Sequence, residues 1–136
     1  MTPAERSYCF WNPYDCFTAR DLAEAALTYA KELYPDKTLF QGTGDAFRHC
    51  YWNAPMEVFV DHESAYDVAT RHESQSRGVD KEMDLKNNKK GRAKSAAATR
   101  PAAPTPRRKT RSPCKSHVST GKLWIIKNGR LVKSNA

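Results

Sequence analysis

Asp45-Ala46-Phe47-Arg48-His49-Cys50-Tyr51-Trp52-Asn53-Ala54-Pro55-Met56 is the stretch on which the fold turns. At about 100° per residue, Phe47, Cys50, Tyr51 and Ala54 gather on one side, and the spacing predicts an amphipathic helix over 45–56. Pro55 is expected to end or kink it, because proline has no N–H to give to the helix ladder. The opposite side carries Asp45, His49, Trp52 and Asn53 within about 100° of one another, with Arg48 on the flank. A solvated face is the ordinary reading of such residues. Trp52 at its centre argues instead that the face meets something.

Upstream, Leu22, Ala25, Ala26, Tyr29, Ala30 and Leu33 recur at spacings of three and four, which predicts a helix over Ala19–Leu33. Thr18 and Asp21 stand like a capping box and Pro35 follows the end. Gln41-Gly42-Thr43-Gly44 then turns the chain into the central helix. Downstream, Ala65, Val68, Ala69 and His72 mark one face of a third helix, about His62–Ser74, which Gly78 breaks. A short fourth helix is expected over roughly Lys81–Arg92. Near the end, Leu123-Trp124-Ile125-Ile126 and Leu131-Val132 flank Lys127-Asn128-Gly129-Arg130. Asn-Gly between apolar runs signals a hairpin, since a type I′ turn needs φ > 0 at both central residues. A lone hairpin is marginal in water and should dock on the helices. The expected fold is mainly α: a small bundle of three to four helices with a C-terminal β-hairpin.

The charge divides the chain. All 15 acidic residues lie in 1–84, which carries −7, whereas 85–136 carries +15, within a total of +8 over 136 residues. Between 93 and 120 there is no Leu, Ile, Met or aromatic residue, and four of the eight prolines occur there. Such a segment buries too little apolar surface to offset its chain entropy, so disorder is expected. The organisation expected is a helical domain over 1–92, a basic Pro/Ala/Ser-rich disordered segment over 93–120, and the docked hairpin over 121–136. No run approaches the roughly 18–20 apolar residues of a membrane span, and the N-terminus lacks the apolar stretch of a signal peptide. Cysteines 9, 16, 50 and 114 include no C-x-x-C pair, which argues against a zinc ribbon or a thioredoxin-type site. A Cys9–Cys16 disulfide and free thiols both remain open.

The fourth helix gathers Asp84, Asn87, Asn88, Gly91 and Arg92 on one side and Lys86, Lys89 and Lys90 on the other. Lysines keep to water, so the Asp/Asn/Arg side is expected to face inward, where it needs partners. His72 and Glu73 can supply them. His62-Glu63-Ser64 repeats His72-Glu73-Ser74, but ten helical residues place the two on different faces. His72 shares the apolar face, and His62 reads as a surface residue at the helix start. A cluster of His49, His72, Glu73 and Asp84 suits two chemistries. As general base and acid it would act on an ester or phosphodiester, with Arg48 or Arg92 holding an anionic oxygen and Trp52, Asn53, Asn87 and Asn88 in support. Alternatively, its two imidazoles and two carboxylates could hold a divalent metal that activates water. There is no H-E-x-x-H motif and no Ca²⁺ loop. A buried polar network that only holds small helices together is the plain alternative.

Gly44–Ala54, then Arg71-His72-Glu73, then Met83-Asp84-Leu85-Lys86-Asn87-Asn88-Lys89-Lys90-Gly91-Arg92 together resemble a small bacterial domain. It is read as DAFRH-x-YWN, HE and MD-x-x-NN-x-x-GR, and is found at the C-terminal ends of Rhs/YD-repeat and other secreted polymorphic-toxin-type proteins. The resemblance covers about 9–92, and Gly121–Asn135 resembles that domain's closing piece. It implies an effector or toxin domain, delivered by a specialised secretion system or otherwise cytoplasmic, with an immunity protein or a secretion-system carrier as partner. Two departures stand out: Pro55 replaces a helix former, and 93–120 replaces an expected helix, as an out-of-frame segment would. Arg48-His49-Cys50-Tyr51-Trp52-Asn53 is also loosely similar to the R-H-D-x-x-Y-R-N helix of bacterial phospholipase A2, with Cys50 where that family has a calcium-binding Asp. The leading expectation is a hydrolase of phosphodiesterase or lipase type in which His72→Ala abolishes activity. The second is a non-enzymatic module whose basic 93–120 tract binds nucleic acid or another anionic surface through counterion release. The third is a structural or interaction domain, or an inactive copy.

Overall fold

The computed structural model describes residues 1–95 and 106–136, the side chains of 94–112 excepted. In chain order the elements are α1 (Pro3–Trp11), α2 (Pro13–Leu33), α3 (Thr43–Phe59), α4 (His62–His72), α5 (Gly78–Ser95), α6 (Pro106–Ser119), β1 (Trp124–Lys127) and β2 (Arg130–Lys133). The chain is mainly helical and closes with a two-stranded antiparallel hairpin. No described helix is long and apolar enough to cross a membrane.

α3 lies at the centre, between α2 and α5, with α4, α6 and the hairpin completing its enclosure. Its apolar stripe behaves as its periodicity predicts: Phe47, Cys50 and Tyr51 share one core with Leu22, Ala26 and Ala30 of α2, and Ala54 is buried as well. The helix does not stop at Pro55. It runs on to Phe59, with Ala54, Pro55 and Met56 buried. Enclosure by its neighbours outweighs the lost hydrogen bond, a cost of about 3 kcal/mol in an unsupported helix.

α2 begins at Pro13, six residues before the expected start, so Thr18 and Asp21 lie inside it and cap nothing. Proline at the first helical position sets that boundary. α1 precedes it, started by Pro3 and by a capping box in which Thr2 and Glu5 satisfy each other's backbone N–H groups. Cys9 and Cys16 join the two helices in a disulfide, leaving Phe10, Trp11, Tyr14 and Phe17 exposed around the turn. Asp61 caps α4, and His62 is exposed beside Glu57, as expected of a surface residue at a helix start.

The expectation of disorder over 93–120 is corrected for much of that segment. α5 continues to Ser95, and α6 occupies Pro106–Ser119; residues 96–105 lie outside the described set. α6 buries Cys114, His117 and Val118, and Cys114 forms a disulfide with Cys50 of α3. Linking residues 64 apart in sequence stabilises the fold by roughly 4 kcal/mol in the loop-entropy treatment, supplying what the apolar content of α6 cannot. A cysteine that meets Cys50, followed by residues that fit the core, also argues against an out-of-frame origin for this part. The charged side chains proposed to bind an anionic polymer fall largely within 94–112, outside the described side chains.

The hairpin turns at Asn128 and Gly129, with φ of 53° and 72°, as a type I′ turn requires. It docks through Asn87, whose side chain accepts from the Trp124 N–H and donates to the Trp124 carbonyl, both at 2.9 Å. Lys86 and Lys133 cover the Trp124 ring. Asn87→Ala would leave the Trp124 backbone unpaired at a part-buried site, and should cost about 1–3 kcal/mol. Hydrogen exchange should show hairpin amides losing protection while those of α3 keep theirs; equal loss in both would contradict this docking role.

Candidate functional site

Asp45, His49 and Asn53 rise along one face of α3 at intervals of four residues, opposite Asp84, Asn88 and Arg92 of α5. Gly91 allows the two helices to approach closely. A Cβ at that position would stand 2.2 Å from the Cys50 carbonyl oxygen and 2.9 Å from Asn53 Cβ.

A hydrogen-bond relay crosses this interface, and its polarity can be read from one end. Arg92 can only donate, and its Nη1 lies 2.8 Å from Asn53 Oδ1. Asn53 therefore presents its amide nitrogen to the His49 carbonyl at 3.0 Å and to Asn88 Oδ1 at 2.7 Å. Asn88 Oδ1 is then an acceptor toward His49 Nδ1, 2.9 Å away, so Nδ1 carries the proton. On a neutral imidazole this leaves Nε2 with a bare lone pair. Burial keeps His49 neutral by lowering its pKa, an effect that Asp45 and Glu73 offset only in part.

That lone pair faces carboxylates. Nε2 is 3.2 Å from Asp84 Oδ1 and 3.6 Å from Asp45 Oδ1, and Glu73 Oε1 lies 3.9 Å from Nδ1. Asp45 is held by the Gln41 N–H at 2.8 Å and by Arg48 at 2.7 Å. Glu73 receives the Ser76 hydroxyl on its other oxygen. Burial first, then the charges of Glu73 and Asp45, push the Asp84 carboxyl up to about 8. Protonated, Asp84 donates to the Glu73 carboxylate, and His49 Nε2 stays bare 3.2 Å from its Oδ1. Because the folded value exceeds the ordinary 3.8, the stability tied to this proton is complete below that value and is lost as pH rises through about 8. Without added divalent ions, the Tm should fall across this window, and Asp84→Asn should flatten the fall; an unchanged slope would contradict it. One ligand atom from each of Asp45, His49 and Asp84 lies within 4.8 Å of the others, so these three could hold a metal ion.

His49 and Arg48 also line a cleft of about 260 Å³ with Trp52, His72 and residues of α2. A neighbouring cleft of about 520 Å³, lined partly by the same Trp52 and His72, extends toward the Cys9–Cys16 disulfide.

The family model described as "Domain of unknown function (DUF6973)" matches residues 6–121. The chain belongs to this family. No curated protein and no solved structure matches it. The DUF6973 match spans α3, α5 and nearly all of the helices that place the cluster.

Of the site residues expected from sequence, the DUF6973 fold brings together His49, Glu73, Asp84, Arg48, Asn53, Asn88 and Arg92. His72 is not among them. It shares the face of Ala65, Val68 and Ala69, but it ends α4 at the surface, half-exposed, with Nδ1 2.8 Å from Glu5 and its ring edge against Trp52. A helical wheel gives a residue's direction around the axis and says nothing of its depth along it. Of the proposed metal set of His49, His72, Glu73 and Asp84, His49 and Asp84 stand with Asp45 in the group that could hold an ion, and His72 and Glu73 lie outside it. Asn87 serves the hairpin. Arg92 is buried over the Tyr66 ring and orients Asn53, which makes it the anchor of the relay. Trp52 meets the protein itself, donating its indole N–H to the Ala19 carbonyl at 2.8 Å. Asp45 was visible on the polar face of α3, four residues before His49, and that spacing was the signal for its place in the cluster.

Proposed function

We propose that the chain is a bacterial effector domain of the polymorphic-toxin kind, and that it hydrolyses an ester or phosphodiester with a water activated at Asp45, His49 and Asp84. The observation that carries this reading is the bare Nε2 of His49, fixed by the Arg92–Asn53–Asn88 relay and flanked by two carboxylates beside a cleft. One nitrogen lone pair and two carboxylates at one point form a donor set that takes up positive charge, either a proton drawn from the attacking water or an ion that acidifies it. Arg48, part-exposed at the cleft while bound to Asp45, is placed to meet the negative charge that develops on a carbonyl or phosphoryl oxygen.

Delivery outside the producing cell is supported by the cysteines. All four are paired, and disulfides persist in oxidising compartments. An immunity protein or a secretion-system carrier is the partner this reading implies. The test uses the purified, oxidised chain with two chromogenic substrates, a nitrophenyl acyl ester and a bis-nitrophenyl phosphate diester. Turnover of one, lost in Asp84→Asn, is the expected result, and it also names the substrate class. Folded protein that turns over neither would count against hydrolysis.

A further inference from the structure

We infer that Asp45, His49 and Asp84 form a binding site for a first-row divalent metal ion of the Mn²⁺ or Zn²⁺ class, with Glu73 beside it. This deepens the hydrolytic reading of the same cluster and rests on it.

Four observations converge. The first is spacing. Metal bonds of about 2.0–2.2 Å at tetrahedral or octahedral angles separate neighbouring donor atoms by roughly 3.0–3.5 Å. The Nε2 of His49 is 3.2 Å from Asp84 Oδ1 and 3.6 Å from Asp45 Oδ1, and the three ligand atoms lie within 4.8 Å of one another, so an ion could enter as the carboxylates draw in around it and Asp45 yields part of its hold on Arg48. The second is the relay. A ligating histidine commonly gives its other ring N–H to an oxygen that fixes its tautomer, and Asn88 Oδ1 does this for Nδ1. The third is charge. Asp45, Glu73 and Asp84 converge with the single guanidinium of Arg48, so once an ion displaces the Asp84 proton the cluster carries two uncompensated negative charges, those a divalent cation would balance.

The fourth observation is a buried carboxylate beside the trio, facing the Asp84 carboxyl. Glu73 is 2% exposed, its Oε1 receives no N–H or Ser/Thr/Tyr hydroxyl, and only the Asp84 carboxyl is left to meet the group. A buried carboxylate oxygen left in this state is costly unless a charge meets it. It lies beside His49 Nδ1 and outside the ligand trio, where it could hold a water bound to the ion. The imidazole among the donors favours a first-row ion over Mg²⁺ or Ca²⁺, which take oxygen ligands. Three protein ligands also leave a position for water, as catalytic metal sites do.

The experiment is calorimetric titration of the full oxidised chain, stripped with a chelator, using Mn²⁺ and Zn²⁺ separately with Mg²⁺ and Ca²⁺ as comparisons. One equivalent of Mn²⁺ or Zn²⁺ should bind and raise the Tm. Asp84→Asn, close in shape to the native residue, should weaken binding at least tenfold. Asn88→Ala should weaken it by about 10–100-fold through the freed imidazole. His62→Ala, which removes a surface imidazole, should leave it unchanged. Should a variant fail to fold, paramagnetic broadening of the His49 ring signals by Mn²⁺ in the wild-type chain reads the same site. Absence of binding to folded protein, or affinity unaltered in Asp84→Asn, would overturn the inference. Hydrolysis that survives chelation yet is lost in His49→Ala would also overturn it while leaving the hydrolytic reading standing. Binding at the trio without hydrolysis would support the metal site and count against that reading.

Discussion

His49→Ala is expected to lower hydrolysis by about 10²–10⁴-fold, the range for loss of a positioned base, while His72→Ala leaves it close to the parent rate. The contrast follows from position. His49 is buried with Nε2 between Asp45 and Asp84, whereas His72 is half-exposed on the cleft wall and bound to Glu5. The sequence reading places both His49 and His72 in the reacting cluster, so the His72 variant separates the two accounts. Growth of a bacterial host gives the same contrast in a cell, with the chain expressed in the cytoplasm or, with an added signal peptide, in the periplasm. Growth inhibition lost with His49→Ala and kept with His72→Ala is the expected pattern. The compartment where it occurs would separate an intracellular target from an envelope target, and the two disulfides favour the periplasm. The reverse pattern, with both variants folded, would place the reactive centre at His72.

Gly91→Ala is expected to destabilise the fold and disturb the site together. On an exposed helix this substitution would gain about 1 kcal/mol from propensity. Here the added Cβ would stand 2.2 Å from the Cys50 carbonyl oxygen and 2.9 Å from both the Cys50 carbonyl carbon and Asn53 Cβ. Two of those atoms are backbone, and Cys50 is tied to Cys114, so the neighbour cannot swing aside as a flexible side chain would. Separating α5 from α3 is the remaining response. Overpacking of this kind costs about 1–3 kcal/mol and occasionally more, and the separation would also stretch the Asn53–Asn88–His49 bonds. Urea denaturation should therefore show a net loss of up to about 2 kcal/mol, with activity falling even where the variant remains folded. An unchanged or raised midpoint would mean that the helices are not in this contact.

The parts of this molecule that could be read from sequence are those where one face is apolar. α2, α3 and α4 each show the stripe that packs them, α5 packs instead through Asn87, Asn88 and Arg92 beside Met83, and the Asn128-Gly129 turn is dictated by backbone geometry. α1 has a legible start in Thr2, Pro3 and Glu5, but Phe10 and Trp11 point to solvent, so no buried stripe marks its body. α6 hid for the opposite reason. Its fixed contacts come from Cys114, His117 and Val118, and the covalent bond to Cys50 replaces apolar area that composition would have revealed.

The cluster was half legible. Polar faces on α3 and α5 that turn inward must find each other, which brings His49 to Asp84 and Asn53 to Asn88. Adjacent residues on a helix diverge by about 100°, however, and so Asn87 serves the hairpin while Asn88 serves the imidazole. The direction of the relay could not be read from residue types at all. It follows from Arg92 being a donor without alternatives, and only the distances connect Arg92 to His49.

The most direct test of the account is the protonation of the His49 ring, read by ¹⁵N NMR on the chelator-treated chain near neutral pH. The relay predicts Nδ1 protonated and Nε2 bare, with Asn88→Ala releasing that preference. A ring protonated on Nε2 and bare on Nδ1 would contradict it, because no lone pair would then face Asp45 and Asp84 to receive a proton or a metal ion.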